Sequence, residues 1–259
     1  MHQTHAITAI AYRDLIKFLR DSARMVSTFI LPLTFIAILG GGFQASFGNA
    51  MGFDYITFTF TGVLAQTLFQ SSAIGIISLI EDRENDFSQE IFVAPVSRYT
   101  IIFGKILGES LVSMTQGMGI MAFAVIITIP ITLQQALALF PASLIVCVYG
   151  GAFGIAIMAN LNSQRAANQI FPFVMLPQFF LAGVFMPINN LPWYLEILSI
   201  ISPMRYPVDL VRGVFYAGQP DYKYVVLQNP VFNLAVIAVL FTVFMVVGTA
   251  LFVRKERNR

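Results

Sequence analysis

The chain has 259 residues, of which 57% are hydrophobic and only 11% are charged, and its net charge is +2. Soluble domains carry about 25% charged residues, so this composition excludes an ordinary soluble protein and indicates a membrane protein. The basic residues are spread over separate segments, which argues against a nucleic-acid partner. The single cysteine, Cys147, excludes a disulfide within the chain and a cysteine metal site.

Residues 1–25 precede the first apolar segment and predict an amphipathic interface helix. Over 6–24, apolar residues recur at helical spacing, with charged residues between them. The apolar residues are Ile7, Ile10, Ala11, Leu15, Phe18 and Leu19, and the charged residues are Arg13, Asp14, Lys17, Arg20 and Asp21. Such a helix lies in the headgroup plane of a membrane. The alternative is a solvated arm that only orients the first span.

Six later segments are long and apolar enough to cross a membrane. A helix rises about 1.5 Å per residue and the hydrocarbon core is about 30 Å thick, so each crossing needs about 20 residues. The predicted spans are 26–47, 55–80, 106–129, 136–158, 170–186 and 231–253. The sequence therefore predicts an all-α integral membrane protein with a six-helix domain over 26–259.

The positive residues are distributed unevenly between the two ends of these spans. Six spans place both termini on one side, and twelve of the fifteen Lys and Arg residues fall on that side. The other three, Arg205, Arg212 and Lys223, lie in one segment between spans five and six. By the positive-inside rule both termini are cytoplasmic, in a multi-pass protein of the inner (plasma) membrane.

The segment 81–105, between spans two and three, is charged and partly amphipathic. Phe87 and Ile91 are four residues apart, Phe92 follows, and Pro95 ends the pattern, which predicts a short cytoplasmic helix. A force on such a helix would reach both adjoining spans, so it suits contact with a soluble motor. The alternative is a solvated loop of a channel or receptor.

The segment 187–230 has too many prolines to cross a membrane as one helix, yet it is too apolar for a free loop. Prolines stand at 187, 192, 203 and 207, and Trp193 and Tyr194 suit an interfacial belt. We expect short helices that enter the outer leaflet and pack on the bundle, because irregular backbone needs protein cover inside a membrane.

Few residues could support catalysis. The histidines, His2 and His5, both lie in residues 1–25, which we call the arm. The phosphate-binding motif GxxxxGK[ST] is missing, so we expect no catalytic residue and no metal or nucleotide site. Glu109 is the one candidate for an intramembrane carboxylate. It is either an i, i+4 partner of Lys105 that extends to the interface, or a gating carboxylate.

Other polar and small residues within the spans favour contacts between helices over ligand binding. The polar residues are Gln66, Gln70, Ser71, Ser72, Gln116, Asn160, Asn168, Gln169 and Gln178, and the glycines are at 40–42, 150, 151 and 154.

Two segments resemble the permease subunits of ABC-2 type transporters. The matching positions are Glu90, the run APVSR at 94–98, Gly104, Lys105 and the segment 181–215. The chain differs from that pattern at positions 85 and 86, which are Asn and Asp where many members have a basic residue and glycine. The segment 181–215 is most similar to the daunorubicin and multidrug branch.

The resemblance implies a dimer with a second permease copy and two separate cytoplasmic ATPase subunits. ATP and Mg²⁺ would be bound by those ATPases, with no cofactor in this chain, and a lipid, drug or polysaccharide would move outward. The expected ATPase contacts are Phe87, Gln89, Glu90, Ile91, Phe92, Ala94, Pro95, Arg98 and, in the segment 160–169, Arg165. The alternative function is an ion-coupled secondary transporter or channel, which would need more buried charge than Glu109 supplies.

Span five contains Pro172 and Pro177, which allow it to bend, and it leads into the outer segment. We therefore expect residues of spans two and five to approach the dimer axis and line an apolar pathway. They are Leu64, Leu68, Gln70, Met175, Leu176 and Phe179. The alternative is that these residues are ordinary packing or lipid-facing positions.

Overall fold

The computed structural model describes residues 2–84, 97–158, 161 and 163–257. These residues form helices and no β-strand, which confirms the predicted all-α class. The helices are α1 (His2–Arg20), α2 (Ser22–Thr34), a π-helix (Phe35–Gly40), α3 (Gly41–Met51), α4 (Tyr55–Gly75), α5 (Ile77–Glu84), α6 (Arg98–Ile126), α7 (Leu133–Met158), α8 (Gln164–Leu181), α9 (Trp193–Ile201), α10 (Arg205–Phe215), α11 (Tyr222–Val225) and α12 (Pro230–Arg257).

Five stretches of the described residues are helical, long and apolar enough to cross a membrane, so the chain is a multi-pass membrane protein. They correspond to predicted spans one to four and six. They are Ser22–Ser46, Tyr55–Glu81, Tyr99–Ile126, Leu133–Met158 and Tyr222–Leu251.

The start of span three differs from its prediction. Helix α6 begins at Arg98 rather than at 106, because Ser97 caps it by accepting a hydrogen bond from the Thr100 N–H at 3.1 Å. The segment 81–105, predicted as a loop, therefore contains the end of α5 and the first two turns of α6. Its residues 85–96 lie outside the described residues.

The predicted fifth span, 170–186, corresponds to α8, which has 18 residues and is not among the five. It begins at Gln164, because Ser163 accepts a hydrogen bond from the Ala166 N–H at 3.2 Å. It ends at Leu181, and Gly183 then turns the chain with a φ of 70°. The helix therefore ends before the predicted boundary at 186, and residues 164–169, predicted within a loop, belong to its first turns. Six spans remain a prediction.

Helix α4 is the centre of the bundle. Of the most apolar 18 residues in this span, 72% are buried, whereas in the first span the corresponding share is 17%. It packs against α6, α7 and α10. Gly150 and Gly154 of α7 lie against backbone carbonyl oxygens of α4, where a Cβ atom would clash, which confirms the close contact predicted from these glycines. Gly41 and Gly42 have no such neighbour among the described residues, so for them close helix contact stays a prediction.

The segment 187–230 contains the short helices α9, α10 and α11, as its prolines predict. Helix α10 packs against α4, α7 and α12, whereas α9 exposes apolar side chains, with Trp193 75% exposed. Gln178 of α8 joins this segment to the bundle: its Oε1 accepts a hydrogen bond from the Met204 N–H at 3.2 Å. The predicted role of Gln178 in contacts between helices is therefore confirmed.

Candidate functional site

Three charged side chains meet at one end of the bundle, inside the protein. Lys105 Nζ lies 2.8 Å from Asp14 Oδ2 and 3.3 Å from Glu109 Oε1. The residues are 2%, 5% and 3% exposed, respectively. We call Asp14, Lys105 and Glu109 the ion-pair cluster. Buried charges persist in proteins only when they are paired. Asp14 has a further partner, because Arg13 Nη2 lies 3.2 Å from Asp14 Oδ1, so Lys105 is the cation that the two carboxylates share.

The cluster corrects two predictions from the sequence. The i, i+4 ion pair of Lys105 with Glu109 is present, but neither side chain extends to the surface. Asp14, predicted on the polar face of the arm, is buried because it supplies the second carboxylate for Lys105.

Two glycines of α6 allow the arm helix α1 to reach Lys105. A Cβ atom at Gly104 would lie 3.2 Å from the Ile10 Cβ, and one at Gly108 would lie 3.0 Å from the Asp14 Oδ2 and 3.1 Å from the Ala11 Cα. Small residues four apart on a helix permit such close backbone approach. The apolar side of α1 is thus packed against protein at Ala11, which is 3% exposed.

The opposite side of the cluster contacts the junction of α4 and α5. Ser78 donates a hydrogen bond to Glu109 Oε1 at 3.3 Å, and the Glu109 carboxylate occupies the space where Gly75 lacks a side chain. Glu109 Oε2 has no hydrogen-bond partner among the described residues. The cluster therefore joins the arm, α6 and the end of span two.

The arm also holds the start of α6. Gln3 Oε1 accepts hydrogen bonds from Ser97 Oγ, at 3.1 Å, and from Thr100 Oγ1. Ser97 is the first described residue after 85–96. Helix α1 thus contacts α6 over its first three turns, beginning at the cap.

The predicted ATPase contacts fall mostly outside the described residues. Those outside are Phe87, Gln89, Glu90, Ile91, Phe92, Ala94 and Pro95. Arg98 is the first residue of α6. Arg165 is exposed in the first turn of α8, which packs against α5. The structure therefore places Arg165 on a helix that contacts the element preceding 85–96.

The predicted pathway residues occupy different environments within the chain. Leu64, Leu68, Met175 and Phe179 are buried, at 0%, 0%, 1% and 9% exposure, whereas Leu176 is 57% exposed. Gln70 is half-buried and accepts a hydrogen bond from Gln66 Nε2 at 3.2 Å. Of this set, Leu176 therefore has the side chain most available to a partner.

A second buried cation, Arg212 of α10, was not recognised from the sequence as an internal residue. Its guanidinium lies 3.7 Å from the centre of the Phe58 ring and donates to the carbonyl oxygens of Phe58 and Val184 at 3.4 and 3.2 Å. Asp209, one turn earlier, accepts hydrogen bonds from Leu227 N at 2.7 Å and from two further donors at 2.8 Å. These contacts fix α10 against α4 and the segment before α12.

Comparisons with known proteins identify the family of the chain. The family model described as ABC-2 type transporter matches residues 5–216. The protein ycf38 of Cyanophora paradoxa, named as a transport permease, is 25% identical over 246 residues, covering 93% of this chain and 85% of that protein. YbhR of Escherichia coli K12, named as a multidrug ABC transporter permease, is 26% identical over 167 residues, covering 62% of this chain and 44% of that protein. Nodulation protein J of Rhizobium meliloti is 25% identical over 199 residues, covering 73% of this chain and 72% of that protein.

Proposed function

Because the chain belongs to the ABC-2 type transporter family and is the membrane permease subunit of an ABC transporter, we propose that it moves an amphiphilic substrate out of the cell. The family match over residues 5–216 carries this proposal, since it includes the arm and the ion-pair cluster. The substrate would be a lipid-like molecule, a drug or a polysaccharide. The name of one relative, a multidrug ABC transporter permease, supports this range.

The energy source would be two separate ATPase subunits that bind ATP and Mg²⁺, assembled on two copies of this permease. The 259 residues contain no GxxxxGK[ST] motif, which supports a motor on another chain. Purification of the tagged full chain tests this. A co-eluting protein with that motif and vanadate-sensitive ATPase activity is expected, and a permease that transports without any ATPase would contradict the proposal.

The route for force would run from 85–96 into the cytoplasmic ends of the spans. That segment is bounded by α5 and by Ser97, and the arm contacts α6 from Ser97 to Gly108. Displacement of α6 would therefore carry α1 with it, and through Glu109 would also reach the end of α4. Residues 1–25 thus act, in this proposal, both at the membrane interface and as a brace for α6.

Charge and polarity reversals in that segment test the route. Glu90→Lys and Phe92→Asp should leave membrane insertion intact and abolish transport-coupled ATP turnover. Glu196→Lys, an exposed charge reversal at the other end of the bundle, is the matched control. Normal coupling in both test variants would show that residues 85–96 are not the motor contact.

The protein would lie in the inner (plasma) membrane, with both termini in the cytoplasm. The distribution of twelve of fifteen Lys and Arg residues on one side supports this orientation. A reporter enzyme that is active only in the cytoplasm, fused after residue 259, should be active, and an inactive but stable fusion would reverse the orientation.

The pathway would lie between two permease copies, near spans two and five. Leu176 is the most exposed of the predicted residues, so Leu176→Cys in a Cys147→Ser background should crosslink between copies. Met118→Cys, 58% exposed on α6, is the control. Equal crosslinking at the two positions would show random collision, and no crosslinking at 176 would remove this placement.

One observation favours the alternative of ion coupling, namely the Glu109 oxygen without a hydrogen-bond partner among the described residues. Ion coupling predicts that a protonophore stops transport and that vanadate does not. The ABC mechanism predicts the reverse. Glu109→Gln separates the two further, because it would abolish ion coupling but would leave ATP-driven transport measurable.

A further inference from the structure

A cavity of about 270 Å³, lined mainly by polar residues, lies between the first three spans. It starts at Arg24, on the first turn of α2, and extends past α4 to Gln116 of α6. Its remaining lining residues are Ser27, Thr28, Leu31, Pro32, Gln66, Thr67, Gln70, Ser71 and Ile74. Drug-sized ligands occupy sites of about 300–1,000 Å³, so this cavity suits a headgroup rather than a whole molecule.

Two amide oxygens in the cavity wall have no hydrogen-bond partner among the described residues. They belong to Gln66 and Gln116, each only 3% exposed. Leaving a buried polar atom unpaired costs about 1–3 kcal/mol, so each oxygen favours a ligand that brings a donor. A hydroxyl group is such a donor. The amides of Gln66 and Gln70 already bond to each other, which aligns this side of the wall.

The charge and the apolar border of the cavity define the rest of the ligand. Arg24 supplies a fixed positive charge at one end of the cavity, and its guanidinium also lies 5.7 Å from the centre of the Phe18 ring. Leu31 and Ile74 border the cavity with apolar side chains that are 57% and 40% exposed. An acyl chain leaving the cavity would therefore meet apolar surface.

We propose that this cavity binds the headgroup of an anionic amphiphile that carries free hydroxyl groups. The anionic group pairs with Arg24, the hydroxyl groups donate to Gln66 and Gln116, and the apolar chain runs over Leu31 and Ile74. This inference rests on the proposed function, because it names the substrate class of the exporter.

Accessibility of a thiol in the cavity tests the proposal on the full chain. Ser71 lines the cavity and is half-buried, so Ser71→Cys in a Cys147→Ser background introduces the thiol with little change in volume. The chain is placed in phosphatidylcholine nanodiscs containing a minority of phosphatidylglycerol, phosphatidylethanol or glucosyl diacylglycerol. The measurement is the rate of reaction with a water-soluble maleimide, with Ser46→Cys, an exposed position outside the cavity, as the control.

Phosphatidylglycerol carries both the charge and the hydroxyl groups, phosphatidylethanol only the charge, and the glucosyl lipid only the hydroxyl groups. We expect phosphatidylglycerol to slow the reaction at position 71 about tenfold, equivalent to about 1.4 kcal/mol, and each of the other two lipids to slow it less. The control position should react equally in all lipids. Equal rates at 71 in all lipids, or equal protection by phosphatidylglycerol and phosphatidylethanol, would overturn the proposal.

Two variants separate binding from folding. Gln116→Leu should reduce protection by phosphatidylglycerol to the level of phosphatidylethanol, and Arg24→Gln, an exposed side chain, should reduce it to the level of the glucosyl lipid. Retained full protection in the Arg24 variant overturns the proposal even if the Gln116 variant fails to fold. Protection in pure phosphatidylcholine that disappears on dilution of the protein would identify a second copy as the occupant, and also overturns it.

The experiment distinguishes failure of this inference from failure of the proposed function. Lipid binding is measured on the permease alone, without nucleotide or ATPase. Lost lipid selectivity with an intact ATPase complex would refute only this inference, and retained selectivity without any ATPase complex would refute only the proposed function.

Discussion

Removal of the ammonium group of Lys105 should destabilise the chain more than removal of either carboxylate. The wild-type ion-pair cluster combines one positive and two negative groups, all at most 5% exposed. Lys105→Met keeps the length of the side chain but removes the cation that both buried carboxylates share, and it leaves Asp14 with only the partly exposed Arg13. Breaking a buried ion pair in this way costs about 3–5 kcal/mol. Asp14→Asn and Glu109→Gln each leave one ammonium with one carboxylate, so each should cost less.

The measurement is the free energy of unfolding of the full chain in mixed micelles, from denaturant titration followed by helical circular dichroism. The loss in the free energy of unfolding should be largest for Lys105→Met and much smaller for Asp14→Asn and Glu109→Gln. The triple variant Asp14→Asn, Lys105→Met, Glu109→Gln should recover most of the loss, because it leaves no buried charge in the cluster, and Arg13, which loses Asp14, is partly exposed. A Lys105→Met variant within about 0.5 kcal/mol of wild type, the range of an ordinary surface change, would refute the reasoning.

Two further predictions concern single contacts. Gly75→Ala places a methyl group where the Glu109 carboxylate lies, so we expect a loss of about 1–3 kcal/mol in the free energy of unfolding. Gly41→Ala is the control and should show no such loss, because no atom of the described residues lies within 4 Å of the added methyl group. Asp209→Asn removes a charged acceptor of three hydrogen bonds. Hydrogen exchange at the backbone amides of Leu227 and Gln228 should therefore become faster, by a factor equivalent to about 1.5–3 kcal/mol for each bond lost. Asp221→Asn is the control, since that side chain makes no capping hydrogen bond, and equal acceleration in the two variants would contradict the assignment.

Apolar length and i, i+4 spacing were sufficient to predict the helices and part of the site. The span over α4 was predicted to within a few residues because its apolar run begins directly after Asp54, whose side chain caps the helix. The ion pair of Lys105 with Glu109 follows from their spacing on one helix face. Both features depend on residues that are close together in the chain.

Contacts between distant segments were not predictable from polarity. Asp14 follows Arg13, and the amphipathic pattern predicts it on the charged face of the arm, because charge on an amphipathic helix normally marks the polar face. The available signal was on α6, where Gly104 and Gly108 flank Lys105 and offer a groove for another helix. The sequence pattern likewise predicts Arg212 in a segment between two spans, although the apolar residues Val208 and Val211 share its short helix.

The groove on α6 explains contact with the arm, but by itself it does not fix the register of the two helices. The contacts of α1 with α6 advance together along both helices, from Gln3 at Ser97 to Asp14 at Gly108. A shift of α1 by one turn, about 5.4 Å, would still place apolar residues in the groove, but it would bring Asp14 opposite Val112, which is apolar and 1% exposed. The carboxylate would then lose Lys105 and keep only the partly exposed Arg13, and Lys105 would lose one of its two carboxylates, which is unfavourable. We infer that the ion-pair cluster selects one register, so that a displacement of α6 moves the arm as a rigid unit rather than sliding past it.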